Sequence, residues 1–372
     1  MKLKLIVAAA ALAASQAYAV APGTAADIEI FISGSSSQDE NIGNYIEQYL
    51  CEDDFDTFYD SYTNYYYATS RRRPVTKRFR AWSCKVDSYK VPGTSPGQVL
   101  LIHKRSMGGS GWGVVPVARQ LQIERMDLPN ANCEELEDFP GSWKCDLVSE
   151  LDTPLVGVSD VQPQVFKGLN AVAAFGDVTQ ADLDALTTFA QSQLVFGVTV
   201  TTELRDTLQA AQGLQVGAED EANMPSLSSN LIRSLFTGQV TSWYDVVDAN
   251  GTDLITLAGA NAPAQDSVAL CIRNSGSGAR AQFLANFLRV PCLDKAVDPY
   301  LVEGGEWPMV QTNDSSGFMA ECLGDFGRDG QLQWAIGYQS TEKNVDLLYN
   351  YRFIKIDGAA PTLENVANDK YL

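Results

Sequence analysis

The residues best suited to chemistry in this chain lie in loops of glycine and serine that follow short apolar runs. Three such loops share one design. Ser33-Gly34-Ser35-Ser36-Ser37 follows the run Ile28 to Ile32. Ser106-Met107-Gly108-Gly109-Ser110-Gly111-Trp112-Gly113 follows Val99 to Ile102. Arg273-Asn274-Ser275-Gly276-Ser277-Gly278 follows Val268 to Ile272, and a helical pattern opens at Ala279. A helix start carries unpaired N–H groups and the positive end of the macrodipole. Glycine lets backbone approach a ligand closely, and serine adds hydroxyl donors. Together these make an anion site, and Arg273 would add a planar cationic fork matched to a tetrahedral oxyanion. A serine-rich helix start alone is often a plain N-cap, and Asp39 and Glu40 could serve the first helix start by themselves. No loop ends in the Gly-Lys-Ser/Thr of a Walker motif, and none matches the dinucleotide fingerprint.

A fourth element, Gly157-Val158-Ser159-Asp160, adds a carboxylate. An ionised carboxylate only accepts hydrogen bonds. Beside a bound oxyanion it would favour one that still carries a proton and repel one that does not.

The elements that must position these loops alternate strand-like and helix-like patterns, which predicts an α/β fold with mostly parallel strands. Ile28–Ile32, Val99–Ile102, Val195–Val200 and Val268–Ile272 read as strands. Asn41–Leu50 reads as a helix burying Ile42, Tyr45, Ile46, Tyr49 and Leu50 on one face. Further helices are expected after Val200 through Leu204 and Leu208, over Ser228–Phe236, and over Ala279–Leu288. Residues 52–90 interrupt the pattern with an acidic run, a tyrosine cluster (Tyr59, Tyr62, Tyr65, Tyr66, Tyr67) and a basic run (Arg71, Arg72, Arg73, Lys77, Arg78, Arg80). They read as a surface insertion flanked by Cys51 and Cys84, with acidic and basic strands paired across a twisted hairpin.

Residues 1–19 read as a secretory signal peptide: Lys2 and Lys4, an apolar run from Leu5 to Ala14, and Ala17-Tyr18-Ala19 at the expected cleavage point. The run is too short to span a bilayer. A periplasmic or secreted location follows, and no membrane-spanning segment is expected. The formal net charge of −19 argues against nucleic acid or anionic membrane partners. Any anion site must therefore be built locally against the overall field. Seven cysteines in an exported chain favour disulfides with one thiol left over. Spacing does not decide the pairing; the expectation is Cys51–Cys84, Cys133–Cys145 and Cys292–Cys322, with Cys271 a buried thiol. The one histidine, His103, sits inside an apolar run and reads as a strand position. That gives a Ser-His-Asp hydrolase little support, and no cysteine or histidine spacing suggests a metal site.

The order of these motifs resembles the phosphate-binding proteins of phosphate ABC importers, within the type II periplasmic binding protein class. Besides the loops, Phe196-Gly197-Val198-Thr199-Val200 resembles the family's crossing strand. Leu231 to Asp245 resembles a segment with Gly238, Trp243 and Asp245 at matching spacings, and Ala335-Ile336-Gly337-Tyr338 resembles a further strand. The resemblance implies two lobes, each a mainly parallel sheet flanked by helices, with the ligand clamped between them. Residues 20–165 and 350–372 would form the first lobe, carrying the insertion at 52–90, and 166–349 the second. It implies oxyanion donors at Ser36 and Ser37, at Ser110, and at Ser277 and Gly278. Asp160 would accept the ligand's proton and Arg273 would balance its charge. Ser37 stands where the family has an aromatic or apolar residue, and Ala279 where it has a threonine. The family pattern runs on past the segment that Pro361 to Ala367 resembles, so either the chain is truncated or its first lobe is completed differently.

The expected function is capture of phosphate or a similar oxyanion for uptake, by a monomer that could dock on an ABC permease. No catalysis, cofactor or metal is expected. The competing reading is a surface or adhesion protein that keeps the fold without a transport role.

Overall fold

The computed structural model describes residues 22–60, 64–67, 72–75, 78–137, 139–146, 148–190, 193–288, 309–326 and 333–371. The expected signal peptide and Cys292 lie outside these. The architecture is mixed α/β, built on two large sheets. The first has seven strands, in the order Val156–Val158, Ile28–Gly34, Val99–Arg105, Phe79–Val86, Cys51–Asp60, Ser142–Cys145, Cys133–Glu135. The second has five: Met309–Asn313, Ala269–Arg273, Ala335–Ser340, Phe196–Thr201, Tyr351–Phe353.

Both sheets are mixed, where mostly parallel strands were expected. In the first, Ile28–Gly34 runs parallel to both neighbours, but Phe79–Val86 is antiparallel to both of its own. In the second, Ala269–Arg273 is parallel to both neighbours and Phe196–Thr201 antiparallel to both. The reason is local. Cys51–Asp60 returns directly through a hairpin as Phe79–Val86, and a hairpin gives antiparallel neighbours, whereas parallel ones need a longer crossover. Each sheet nevertheless keeps three adjacent parallel strands, and these carry the glycine- and serine-rich loops.

Within residues 52–90, the strands Cys51–Asp60 and Phe79–Val86 are not the surface insertion expected. Phe58, Phe79, Ala81, Trp82 and Cys84 are buried, and the two strands that hold them lie inside the seven-stranded sheet. The hairpin reading fits the register: Tyr59 faces Arg80, whose guanidinium lies 5.0 Å from the Tyr59 ring centre. Beyond it, the backbones of Asn64–Tyr67 and Arg72–Val75 pair antiparallel. The C-terminal residues also differ from expectation. Tyr351–Phe353 pairs with Phe196–Thr201, and the Tyr371 hydroxyl accepts from the Val198 amide at 3.3 Å. Residues 351–371 thus pack on the five-stranded sheet, because Tyr351, Ile354, Ile356 and Tyr371 join its core.

That core is the larger one. Val198, Val200, Leu270, Ile272 and Ile336 meet Leu204 and Leu208 from the helix Thr202–Ala211, Ile232 and Leu235 from Ser229–Phe236, and Met319 and Leu323 from Ser316–Phe326. Each such side chain contributes about 1.5–3 kcal/mol when fully buried. Ser228 starts the second of these helices by accepting from the Leu231 amide at 3.2 Å.

Three disulfides join Cys51 to Cys84, Cys133 to Cys145, and Cys271 to Cys322. The third corrects the expected Cys292–Cys322 pair and the free Cys271 thiol. The helix Ser316–Phe326 packs on the strand Ala269–Arg273 and brings the Cys271 and Cys322 Cα atoms to 6.0 Å, inside the range a disulfide requires. Disulfides fit a secreted protein. Among the described residues no helix is long and apolar enough to cross a membrane.

Candidate functional site

The parallel strands of the two sheets end at one place. Gly34, Arg105 and Val158 close strands of the first sheet; Arg273 and Asn313 close strands of the second. Loops at the carboxyl ends of parallel strands are where open α/β sheets bind ligands. The close approach depends on glycines. A Cβ on Gly113 would lie 2.7 Å from the Ser33 carbonyl oxygen, and one on Gly34, whose φ is +122°, would lie 2.1 Å from the Val158 oxygen. The helix Gly111–Arg119 can therefore sit directly on the strand ends.

Asp160 is the centre of the first-sheet half. Ser35 Oγ donates to its Oδ1 at 2.5 Å, and Ser110 Oγ donates to its Oδ2 at 3.1 Å. The Asp160 amide donates back to Ser110 Oγ at 3.2 Å. Burial raises the Asp160 carboxyl above the ordinary aspartate range, while the two hydroxyls, Arg273 and Lys104 pull the other way. Gly278 lies against this pair: a Cβ there would stand 2.5 Å from Ser110 Oγ and 2.9 Å from Asp160 Cβ.

Arg273 dominates the second-sheet half and is 2% exposed. Its Nε donates to the Asn313 carbonyl at 3.0 Å, Nη2 to the Asp314 carbonyl at 3.1 Å, and Nη1 to Ser316 Oγ at 3.4 Å. The Tyr338 hydroxyl accepts from its amide at 3.0 Å. Burial lowers the guanidinium from its ordinary range; Tyr338, Asp160 and nearby carboxylates oppose that. The planar fork is thus fixed before any ligand arrives. Ser277 caps the following helix, accepting from the Arg280 amide at 3.3 Å. The amides of Gly278 and Ala279 begin that helix, where no intrahelical acceptor exists.

The two halves touch. The Gly108 amide donates to the Asp314 carbonyl at 3.0 Å, and the Gly111 amide to the Gly276 carbonyl at 2.7 Å. Ser36 Oγ donates to Ser316 Oγ at 2.9 Å and accepts from the Ser316 amide at 2.9 Å. The structure therefore brings Ser36, Ser110, Asp160, Arg273, Ser277 and Gly278 into one neighbourhood. Ser37 is buried beside them; its amide donates to Ser35 Oγ at 3.0 Å, and its own hydroxyl has no partner among the described residues. His103 stays a strand residue, with Nε2 2.9 Å from Glu29 Oε1.

Four contributors were given no ligand role from the sequence. Lys104 is 1% exposed; its Nζ donates to the carbonyls of Gly34 at 3.2 Å and Ser35 at 3.0 Å and lies 3.2 Å from Asp39 Oδ1. Burial lowers its pKa and Asp39 raises it. Asp39, which could have served the first helix start, instead accepts from Ser106 Oγ at 2.9 and 2.7 Å. Ser35 and Ser316 complete the set. Ser316 had a signal in the sequence: Ser315-Ser316-Gly317 repeats the strand, serine and glycine, helix design. Lys104, one of two adjacent charges at the end of an apolar strand, had none.

Among the described residues no cluster of three or more histidine, cysteine, aspartate or glutamate side chains could hold a metal. No family model matches the chain, and no curated protein matches it.

Proposed function

We propose that the protein is a secreted solute-binding protein of the two-lobe, type II periplasmic kind, similar to the phosphate-binding proteins of ABC importers, and that it captures hydrogenphosphate between its two sheets. The observation that carries this reading is the pairing of a buried, pre-set Arg273 fork with the Asp160 carboxylate across converging serine loops. Arg273 and the helix-start amides of Gly278 and Ala279 supply positive potential and donors. Each carboxylate oxygen has two acceptor directions, so Asp160 can hold its serine hydroxyls and still accept a ligand proton. Hydrogenphosphate at neutral pH offers one; sulfate does not. No bond in the ligand is made or broken.

Arg273→Ala tests this. Titration of the variant with phosphate should show affinity lowered by at least about thirtyfold, the usual scale for removing a buried partner of a charged ligand. Unchanged affinity would remove Arg273 from the site.

A further inference from the structure

His103 is the only histidine in the chain, and the proposed capture makes no use of it. It is 1% exposed, between Phe31 and Ala81 of the neighbouring strands, which carry no charge. Its Nε2 lies 2.9 Å from Glu29 Oε1, while its Nδ1 is buried with no hydrogen-bond partner among the described residues. Glu29 Oε1 also accepts from Arg125 Nη1. Arg125 sits on the strand Ile123–Met126, and its Nη2 and Nε lie 3.0 Å from Glu150 Oε1 and Asp152 Oδ2 of the paired strand Ser149–Asp152. Those two strands form a separate ribbon. One ionic cluster thus fastens the ribbon to the seven-stranded sheet, beside the apolar core that Met126 shares with Phe79, Ala81 and Leu101. Each strand in the cluster leads to a loop of the anion site. Glu29's strand ends at Gly34, ahead of Ser35 and Ser36; His103's strand leads through Lys104 to Ser110; Asp152's is followed by Val156–Val158 and Asp160.

Neutral His103 donates to Glu29 through Nε2 and leaves Nδ1 an unpaired acceptor. The hydrogen bond from His103, then Arg125, holds the Glu29 carboxyl down to about 2, so it stays ionised in mild acid. A further proton must go to Nδ1, where it makes an unpaired charged donor in the interior. Arg105 adds positive charge to the same face of the strand and has Glu124 3.9 Å away. Burial lowers the His103 pKa; Arg125 lowers it too, while Glu29 and Glu150 raise it, and the balance falls below the ordinary range. The sign follows: the stability that His103 contributes is complete above the unfolded value of about 6.5 and is lost as pH falls toward the folded value.

We infer that His103 is an acid-sensitive catch, whose protonation at Nδ1 loosens the ribbon from the seven-stranded sheet and, through the three strands, weakens anion capture. The link to capture rests on the oxyanion reading of the site. His103→Gln cannot titrate and keeps an amide donor toward Glu29. Thermal melts and calorimetric titrations with inorganic phosphate, from pH 7.5 to about 5, compare it with the wild type; phosphate's own protonation enters both alike. Expected is a larger fall in the wild-type midpoint on acidification, and a wild-type affinity that falls at least about threefold more than the variant's, within the roughly tenfold per pH unit that one linked proton allows. Nuclear magnetic resonance of histidine-labelled wild type reads the same proton directly, one signal for one histidine, and decides the matter even where the variant fails to fold: the signal should titrate below about 6.5, together with the loss of affinity. A signal that titrates above that value, or an equal acid response of midpoint and affinity in both proteins, overturns the catch. A larger wild-type fall in midpoint with equal changes in affinity overturns its link to the site. Binding of phosphate at no pH overturns the oxyanion reading, while the melts and the histidine signal still decide the catch.

Discussion

On the proposed reading, Asp160 couples stability to ligand choice. Its raised pKa means that the folded state resists ionising it. The sign follows: its contribution to stability is greatest below the unfolded-state value near 4 and is lost as pH rises through the higher folded value. Asp160→Asn, which cannot ionise, should therefore melt higher than the wild type at pH 7, and the gain should shrink toward pH 4 in thermal melts at both values. A gain that grows on acidification would contradict the assignment. Lys104 is the counterpart cation. It ties the Gly34–Ser35 backbone to Asp39, and its loss removes the cation 3.2 Å from that buried carboxylate, leaving the longer-range pull of Arg80 and Arg273. Lys104→Met should cost about 3–5 kcal/mol in urea unfolding; a cost under about 1 kcal/mol would mean that the pair is not held in solution.

Elements were legible where periodicity and burial agree. The runs at Ile28, Val99, Val195 and Val268 are strands, and Ser228–Phe236 is a helix with its N-cap where a serine stands. The helix after Ser37 shows the limit. Tyr45 and Tyr49, placed on a buried face by a 3.6-residue period, are 57% and 54% exposed; Ile42, Ile46 and Leu50 carry the packed stripe instead, and the helix widens to a π turn over Ile46–Leu50. Residues 52–90 misled through composition: charge runs read as surface, yet Tyr59, Arg80 and Trp82 stack on one another inside the sheet. Disulfide partners are set by packing, so Cys271–Cys322 had no local signal. That bond joins the strand ending at Arg273 to the helix starting at Ser316, over a separation of 51 residues. Replacing both cysteines by serine should lower stability by about 4 kcal/mol, read from the urea midpoint; a midpoint unchanged from wild type would show that packing alone holds the helix.

At the scale of the whole molecule, a chain of net charge −19 concentrates buried cations, Lys104 and Arg273, at the strand ends where its two sheets meet. The site was legible as a set of loops, because each loop repeats the same strand-end design. What joins the loops was not: Ser35 to Asp160, Ser36 to Ser316 and Lys104 to Asp39 are contacts between residues 65 to 280 positions apart, and no local pattern encodes them. The central claim is that this convergence selects a protonated tetrahedral oxyanion. Calorimetric titration of the protein with phosphate and with sulfate at pH 7 tests it most directly. The account predicts saturable phosphate binding with sulfate excluded; binding of sulfate as tightly as phosphate, or of neither, would contradict it.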